Sequence, residues 1–566
     1  MRPATLAHVL ATASLFCLPG LAPAAACRSD NGGLSLPPGF CATVFADGIG
    51  HARHLAMAPN GVLYVNTWSG NYYTDKSPPA GGFFVALKDS HGTGTADVVQ
   101  RFGAGAADGS TGGTGLRYYR GALYVEQNDK ILRYPLAEGE VVPHAAAEVV
   151  LSGMPLGGDH PMHPFIIDDA GHLYIDMGSS TNACDEHNRM PKTRGHLPCT
   201  ELETRAGIWR YDANRTGQVF SAAGRYATGL RNGEGMAFDS AGRLFVTQHG
   251  RDQLGENFQD LYTAQQGHEL PAEEIVLLEK GGDYGWPACY FDGFQKKLVL
   301  APEYGGDGGK TVGICADKRG PVAFYPAHWG PNALFVYSGT QFPAPYRGGA
   351  FIAFHGSWNR APAPQAGYNV VFQPLKDGRA TGDYLLFADG FAGREKAPGR
   401  AAFRPSGLAQ GNDGALYVAD DAHGRIWRIT YEGDPALGVA LAAPPAVTGH
   451  GDSRPLLASL VAPTGVSRDE LLAGEKIFHG EQSGGTCAGC HASDGKGSEV
   501  GINLTTGHWK HSNGSLAGLE QTITKGVMSA GADGGVMPPY GGAKLSRADV
   551  RAVAAYVWAL GHAATP

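Results

Sequence analysis

The chain has 566 residues, with 45 Lys and Arg against 53 Asp and Glu, for a net charge of −8 at pH 7. No cluster of Lys and Arg interrupts this mild balance, which argues against nucleic acid or an anionic lipid surface as the partner. The composition includes 84 glycines and 36 prolines without a collagen-like period, so it points to many short strands joined by turns.

Residues 1–26 carry Arg2, an apolar run that includes Leu6 to Leu18, and then Ala24-Ala25-Ala26, the pattern of a cleaved secretory signal. No later segment offers about 18 consecutive apolar residues, so a periplasmic or secreted chain without a membrane span is expected. Cysteine usage agrees. Of nine cysteines, Cys17 leaves with the signal and Cys487 and Cys490 belong to the motif described below. The other six fall into neighbouring pairs, Cys27 with Cys41, Cys184 with Cys199 and Cys289 with Cys315, expected as disulfides inside loops. Cys27 would be the first mature residue, but the residues before it lack the leucine of a lipobox.

From residue 60 onward one strand signature recurs, a turn ending in Gly followed by an apolar, aromatic, apolar strand. It reads Gly61-Val62-Leu63-Tyr64-Val65, Gly121-Ala122-Leu123-Tyr124-Val125 and Gly171-His172-Leu173-Tyr174-Ile175. Further copies are Gly242-Arg243-Leu244-Phe245-Val246, Gly349-Ala350-Phe351-Ile352-Ala353 and Gly414-Ala415-Leu416-Tyr417-Val418. Several run on into a further strand, as in Arg425-Ile426-Trp427-Arg428-Ile429. Six copies of one β unit predict an all-β, six-bladed propeller over residues 27–431, because a β-sandwich gives no reason for six near-identical strands. The uneven spacing implies insertions, notably 184–205 and 289–320, and insertions map to loops where ligands bind. Past Tyr431 the strand signals stop, and residues 432–465, rich in Ala, Pro and Gly, read as a linker.

Ser467-Arg468-Asp469-Glu470 then opens a helix with capping-box spacing. Cys487-Ala488-Gly489-Cys490-His491 follows, the C-x-x-C-H signature of a covalently attached c-type haem. Its two thiols are placed to bond the haem vinyl groups, and His491 is placed to be the proximal iron ligand. A zinc site would need a second half-site downstream, and none is present. Met537 is the expected second axial ligand because Pro538-Pro539 restrict its backbone. Met528 is the rival, although a Met in a small core more often simply packs. A last helix opens at Ser546 and carries Val550, Val553, Ala554, Val557 and Leu560 on one side. Helix, C-x-x-C-H, Met-Pro, helix is an order in which residues 466–562 resemble a class I cytochrome c, so a small all-α domain is expected over 466–566. A His/Met pair implies a raised potential suited to accepting electrons.

A second resemblance spans residues 36–431. It rests on Asp159-His160, Gly229-Leu230-Arg231-Asn232, His249-Gly250-Arg251-Asp252 with Glu256-Asn257, and Gly282-Asp283-Tyr284-Gly285-Trp286-Pro287. His355-Gly356-Ser357-Trp358-Asn359-Arg360 and Arg404-Pro405-Ser406-Gly407 complete it. In these phrases the region resembles the soluble calcium- and pyrroloquinoline quinone (PQQ)-dependent sugar dehydrogenases, especially the L-sorbosone dehydrogenase-like branch. The resemblance implies that His160 is the catalytic base. Adjacent Asp159 could orient it, and a histidine suits proton abstraction near neutral pH. His163 stands where sorbosone-type relatives often show arginine, and is itself an alternative base. PQQ carries three carboxylates, which call for bidentate guanidinium partners. By resemblance Arg231 and Asn232 reach the quinone oxygens, while Arg404 and Arg360 handle carboxylates or the reactive carbonyl. Calcium would be held by the backbone carbonyls of Gly250 and Arg251, with Asp252 and Glu256 as nearby carboxylates. The Gly282–Pro287 phrase reads as structural, and His328 and His355 either line the cleft or sit in the core.

Together these features imply a periplasmic quinohaemoprotein dehydrogenase. It would oxidise a sugar or sugar-derived aldehyde and pass electrons to its own haem, then to a cytochrome, a copper protein or a quinone-linked oxidase. Two rivals differ in kind. A calcium-dependent propeller lactonase needs acidic and amide side chains converging on the axis, and leaves a fused electron carrier unexplained. A carbohydrate-binding module predicts no set of arginines around a pocket.

Overall fold

A computed structural model describes residues 30–563 apart from 69–79, 104–111, 361–363, 399, 435–440, 442–456, 484, 486, 493, 498–500 and 528–536. The expected signal segment, Cys27, most of the linker and Met528 therefore lie outside the described residues.

Among the described residues six sheets of at least four strands form the larger domain, antiparallel throughout except where Gln218–Val219 adds in parallel to the edge of one of them. Their innermost strands are β1 (Ala52–Met57), β2 (Leu116–Tyr119), β3 (Phe165–Ile167), β4 (Met236–Phe238), β5 (Pro331–Val336) and β6 (Pro405–Gln410). Each packs against its neighbours, and β6 returns to β1, so the ring closes as a six-bladed propeller. A narrow axial cavity of about 100 Å³ lies between these strands, lined by residues such as Leu116, Phe165, Glu234 and Leu408.

The recurring signature occupies the second strand of every blade: Leu63–Thr67, Ala122–Gln127, His172–Met177, Leu244–Gln248, Ala350–Phe354 and Leu416–Asp420. These strands are covered on both faces by adjoining blades. Leu63, Tyr64 and Val65 are fully buried, as are Phe351, Ile352 and Ala353. Burial on both faces replaces strict alternation with an apolar run, which is why the repeat was readable. The last blade is built from both ends of the domain. Phe40–Ala46 pairs antiparallel with Ile426–Tyr431, in a register that sets Phe40 opposite Tyr431. This pairing leaves the ring no open edge.

The topology also gathers the long loops at one end of the axis. In an antiparallel blade, the loop leading into the first strand and the loop joining the second to the third emerge on the same face. Residues 178–206, 249–272 and 355–368 are second-to-third loops, and residues 153–164, 229–235 and 389–404 lead into β3, β4 and β6. Disulfides Cys184–Cys199 and Cys289–Cys315 staple two of the insertions as expected. Cys41 is disulfide-bonded too, and Cys27, its expected partner, lies outside the described residues.

The C-terminal domain comprises α1 (Arg468–Phe478), α2 (Cys487–His491), α3 (Leu516–Lys525) and α4 (Arg547–Gly561). Ser546 and Asp549 form a full capping box on α4. On α1 only the Ser467 half forms, and Glu470 instead pairs with Arg551 of α4 at 2.9 Å. The helices α1 and α4 cross closely at Gly474, where an added Cβ would lie 2.1 Å from the Ala552 carbonyl oxygen. Leu471, Ile477, Phe478, Val553, Tyr556 and Leu560 form the core around this crossing. Among the described residues no helix is long and apolar enough to cross a membrane.

Candidate active site

His160, in the loop before β3, is buried, and its Nδ1 lies 3.1 Å from the Ser179 carbonyl oxygen and 3.0 Å from Ser179 Oγ. The Ser179 hydroxyl donates its own proton to the Thr181 carbonyl at 2.7 Å. Both Ser179 oxygens therefore accept from His160, which places the ring proton on Nδ1 and leaves Nε2 as the basic nitrogen. Nε2 makes no hydrogen bond among the described residues. Burial, reinforced by the Arg231 charge, holds the imidazole well below its ordinary pKa, so it is neutral at physiological pH.

Asp159 does not orient His160. Its carboxylate accepts from Arg189 Nε at 3.1 Å and Nη2 at 2.8 Å, and from Asn188 at 3.3 Å. Neighbours in an extended loop send their side chains in different directions, and the orienting role falls to Ser179. His163 is not poised as a base either. Its Nδ1 faces Glu126 at 3.2 Å and its Nε2 faces the Pro155 carbonyl at 3.0 Å, so both nitrogens are occupied.

A guanidinium network adjoins His160. Arg231 is buried and donates to the Asn182 side chain, the Gly250 carbonyl and Asp252, each at 3.0 Å. Asp252 also accepts from Arg189 at 3.0 Å and from Asn359 at 3.2 Å. Burial alone would raise the Asp252 pKa, but Arg231 and Arg189 more than offset it and hold the carboxyl well below the usual range. Asn232 donates to His249 at 3.2 Å, while its Oδ1 is buried without a hydrogen-bond partner among the described residues. Gly178 lets Asn232 and His160 approach, since a Cβ there would lie 2.5 Å from His160 Cβ and 3.2 Å from Asn232 Oδ1. Arg404 lies across the axis, buried, bonded to the carbonyls of His355 at 3.2 Å and Gly356 at 3.0 Å.

Other expected residues sit further out. Arg360 pairs with Glu269 at 2.6 Å and donates to the His268 and Ala327 carbonyls, so its guanidinium is committed to the wall of the 264–269 helix. The Arg251 side chain turns away onto Glu303, leaving only its backbone for a cation. The Gly250 N–H and the Gly330 N–H both bond to Glu273, which clamps this turn. His328 and His355 are core residues with fixed partners. His328 bonds to Asn359 and to the Gly267 carbonyl, and His355 to Asp421 at 2.7 Å. The Gly282–Pro287 phrase packs Tyr284 and Trp286 as expected. Trp286 additionally donates to the Asn182 carbonyl at 3.1 Å, and so buttresses the residue that holds Arg231.

Sequence reasoning missed Ser179, Asn182 and Arg189. None belongs to a phrase with a chemical signature, and Arg189 sits inside the insertion that the Cys184–Cys199 disulfide closes. That disulfide was the available signal that the insertion is held in one shape.

In the C-terminal domain, His491 Nδ1 donates to the Ile502 carbonyl at 2.8 Å, which leaves Nε2 for iron and orients the ring. Met537 packs against the helical core, and its backbone is fixed by paired hydrogen bonds with Val527 at 2.7 and 2.9 Å. Thiols spaced one helical turn apart, an oriented imidazole and a clamped Met-Pro loop fit a covalent haem.

Comparison with known proteins agrees with this division. Residues 34–432 match the family model described as TrAA12-like, and residues 469–557 match that of cytochrome c oxidase, cbb3-type, subunit III. A PQQ-dependent pyranose dehydrogenase of Coprinopsis cinerea is 27% identical over 242 residues, covering 37% of this chain and 31% of the relative. The cbb3-type oxidase subunit CcoP of Rhodobacter capsulatus is 43% identical over 108 residues, 17% of this chain and 32% of that one. The chain thus spans about a third of either relative. In fold, a Trichoderma reesei structure of carbohydrate-active enzyme family AA12 aligns with a TM-score of 0.56 at 18% identity, over 70% of this chain and 98% of that one.

Proposed function

Because the chain belongs to the TrAA12-like family across residues 34–432, we propose that it is a periplasmic quinohaemoprotein dehydrogenase for a sugar or sugar-derived aldehyde. The observation that carries this reading is a buried, neutral His160 whose tautomer leaves Nε2 basic, set beside Arg231 and the orphaned Asn232 oxygen. His160 takes the substrate hydroxyl proton at Nε2 while Ser179 keeps the ring from turning. Arg231, Arg404 and Arg189 supply fixed cationic donors for a tricarboxylate, with Arg360 at the rim. Bound PQQ would accept the hydride, calcium at the Gly250 and Arg251 carbonyls would polarise it, and haem on Cys487 and Cys490 would carry the electrons onward. The Gly250 carbonyl accepts from Arg231 Nη1 at 3.0 Å and keeps a second lone pair for a cation. The acceptor beyond the haem is a cytochrome, a copper protein or a quinone-linked oxidase.

The test is a panel of aldoses, alcohols and sugar aldehydes added to protein reconstituted with PQQ and calcium, read by haem absorbance. Haem reduction is expected with at least one substrate, lost without quinone and reduced roughly a hundredfold or more in His160→Gln. A haem that stays oxidised across the panel sinks the proposal.

A further inference from the structure

The two domains touch at points that bracket the haem motif. On one side Arg400 Nη1 lies 3.1 Å from Asp494 Oδ2. Asp494 follows His491 by three residues, is nearly buried, and accepts from the Lys496 N–H at 3.1 Å. Arg400 precedes Arg404 of the pocket by four. On the other side the Met-Pro loop reaches the propeller. A Cβ on Gly542 would lie 3.7 Å from Gln253 Nε2 and 3.9 Å from Glu256 Cβ, and one on Gly541 would lie 3.8 Å from Cys487 Sγ. Gln253 Oε1 in turn accepts from Arg189 Nη1 at 3.4 Å. A cleft of about 530 Å³ continues this seam, lined by Met190, Lys192, Glu256, Tyr540 and Lys544. Contacts therefore run from the His160 pocket through Arg189, Gln253 and the 541–542 loop to the haem-attaching cysteine.

We propose that the propeller face formed by Arg189, Gln253, Glu256 and Arg400 is the docking surface for the chain's own cytochrome domain. The Arg400–Asp494 ion pair latches it, and the docked arrangement is the one in which electrons cross. The electron-transfer clause rests on the dehydrogenase reading above; the docking clause does not. Short contact favours transfer, and without Arg400 the nearly buried Asp494 keeps only the exposed Lys496 ammonium, 3.4 Å away, which disfavours the docked state.

The experiment compares full-length haem-loaded protein with Arg400→Asp, the milder Arg400→Gln, and the charge swap Arg400→Asp/Asp494→Arg. Hydrogen–deuterium exchange is read at residues 187–195 and 538–546, and substrate-driven reduction is read separately at the haem and at a small soluble dye. Both single variants are expected to raise exchange in both segments. They should also slow haem reduction about tenfold or more while dye reduction holds. The swap should recover a substantial part of each. Wild-type exchange and haem rates in both single variants would overturn the docking surface. Raised exchange with an unchanged haem rate would overturn the latch's role in transfer. Failure of every substrate to reduce the dye in wild type would instead bring down the dehydrogenase reading, with exchange still deciding the docking.

Discussion

Behind His160 stands a serine and not a carboxylate, and that choice governs how the imidazole responds to acid. A neutral hydroxyl fixes the tautomer without stabilising imidazolium, so burial and Arg231 keep the ring deprotonated below its ordinary pKa of about 6.5. The acid limb of kcat/KM is therefore expected below that value. Ser179→Asp should move the limb upward by about a unit or more, because an adjacent anion favours the protonated ring. Ser179→Ala should lower kcat roughly tenfold with little movement of the limb, since it removes orientation but adds no charge. Profiles from pH 4 to 9 decide between them, and a limb indifferent to Ser179→Asp would rule His160 out as the titrating base. At this scale the sequence was half legible. His160, Arg231, Arg360 and Arg404 stood out only through the phrases that carry the family resemblance. Asp159 misled because adjacency in a loop says nothing about side-chain direction. Ser179 was invisible because nothing marks a lone serine 19 residues downstream.

Among elements, the strand Glu273–Leu277 of the fourth blade carries two consecutive buried carboxyls. Successive strand residues point to opposite faces. Glu273 accordingly reaches the Gly250 turn, and Glu274 reaches Gln248 at 3.1 Å. Burial pushes Glu273 up to about 7 and Glu274 up to about 8. A carboxyl raised from 4.5 in the unfolded chain to about 8 in the folded one stays protonated only when folded. Its contribution is fully present below pH 4.5 and is lost as pH rises toward 8, an effect on the order of a few kcal/mol. Glu274→Gln, which keeps the shape and cannot ionise, should flatten the fall in Tm between pH 5 and 8, as measured by calorimetry. An equally steep fall in the variant would place the titrating group elsewhere. The six second strands were readable because burial on both faces writes a dense apolar signature. Phe40–Ala46, with an interrupted pattern and a partner at the far end of the domain, left no comparable trace.

For the molecule as a whole, the Cys184–Cys199 insertion joins what the sequence presents as separate modules. It places Arg189 in the pocket network and Met190 and Lys192 against the cytochrome. Its disulfide closes a separation of 15 residues, for which chain-entropy reasoning gives about 3 kcal/mol. Cys184→Ser/Cys199→Ser should lower Tm by several degrees, weaken quinone binding measured by fluorescence quenching, and increase exchange across 187–195. Lower Tm alone, with quinone affinity intact, would confine the staple to stability. Two modules, their order and the haem motif were legible from spacing. Their docking was not, because Arg400 and Asp494 read as ordinary solvated charges until the fold sets them together.

The pairing of Phe40 with Tyr431 has a bearing on how this protein is made. Its opening strand must wait, edge exposed, until nearly the entire wheel has left the ribosome. Only then can the seam zip shut and give the C-terminal helical domain a finished face to settle on. Fusions or deletions that disturb residues 40–46 should therefore harm the docking of the opposite terminus, even though they touch neither the His160 pocket nor the Cys487–His491 motif.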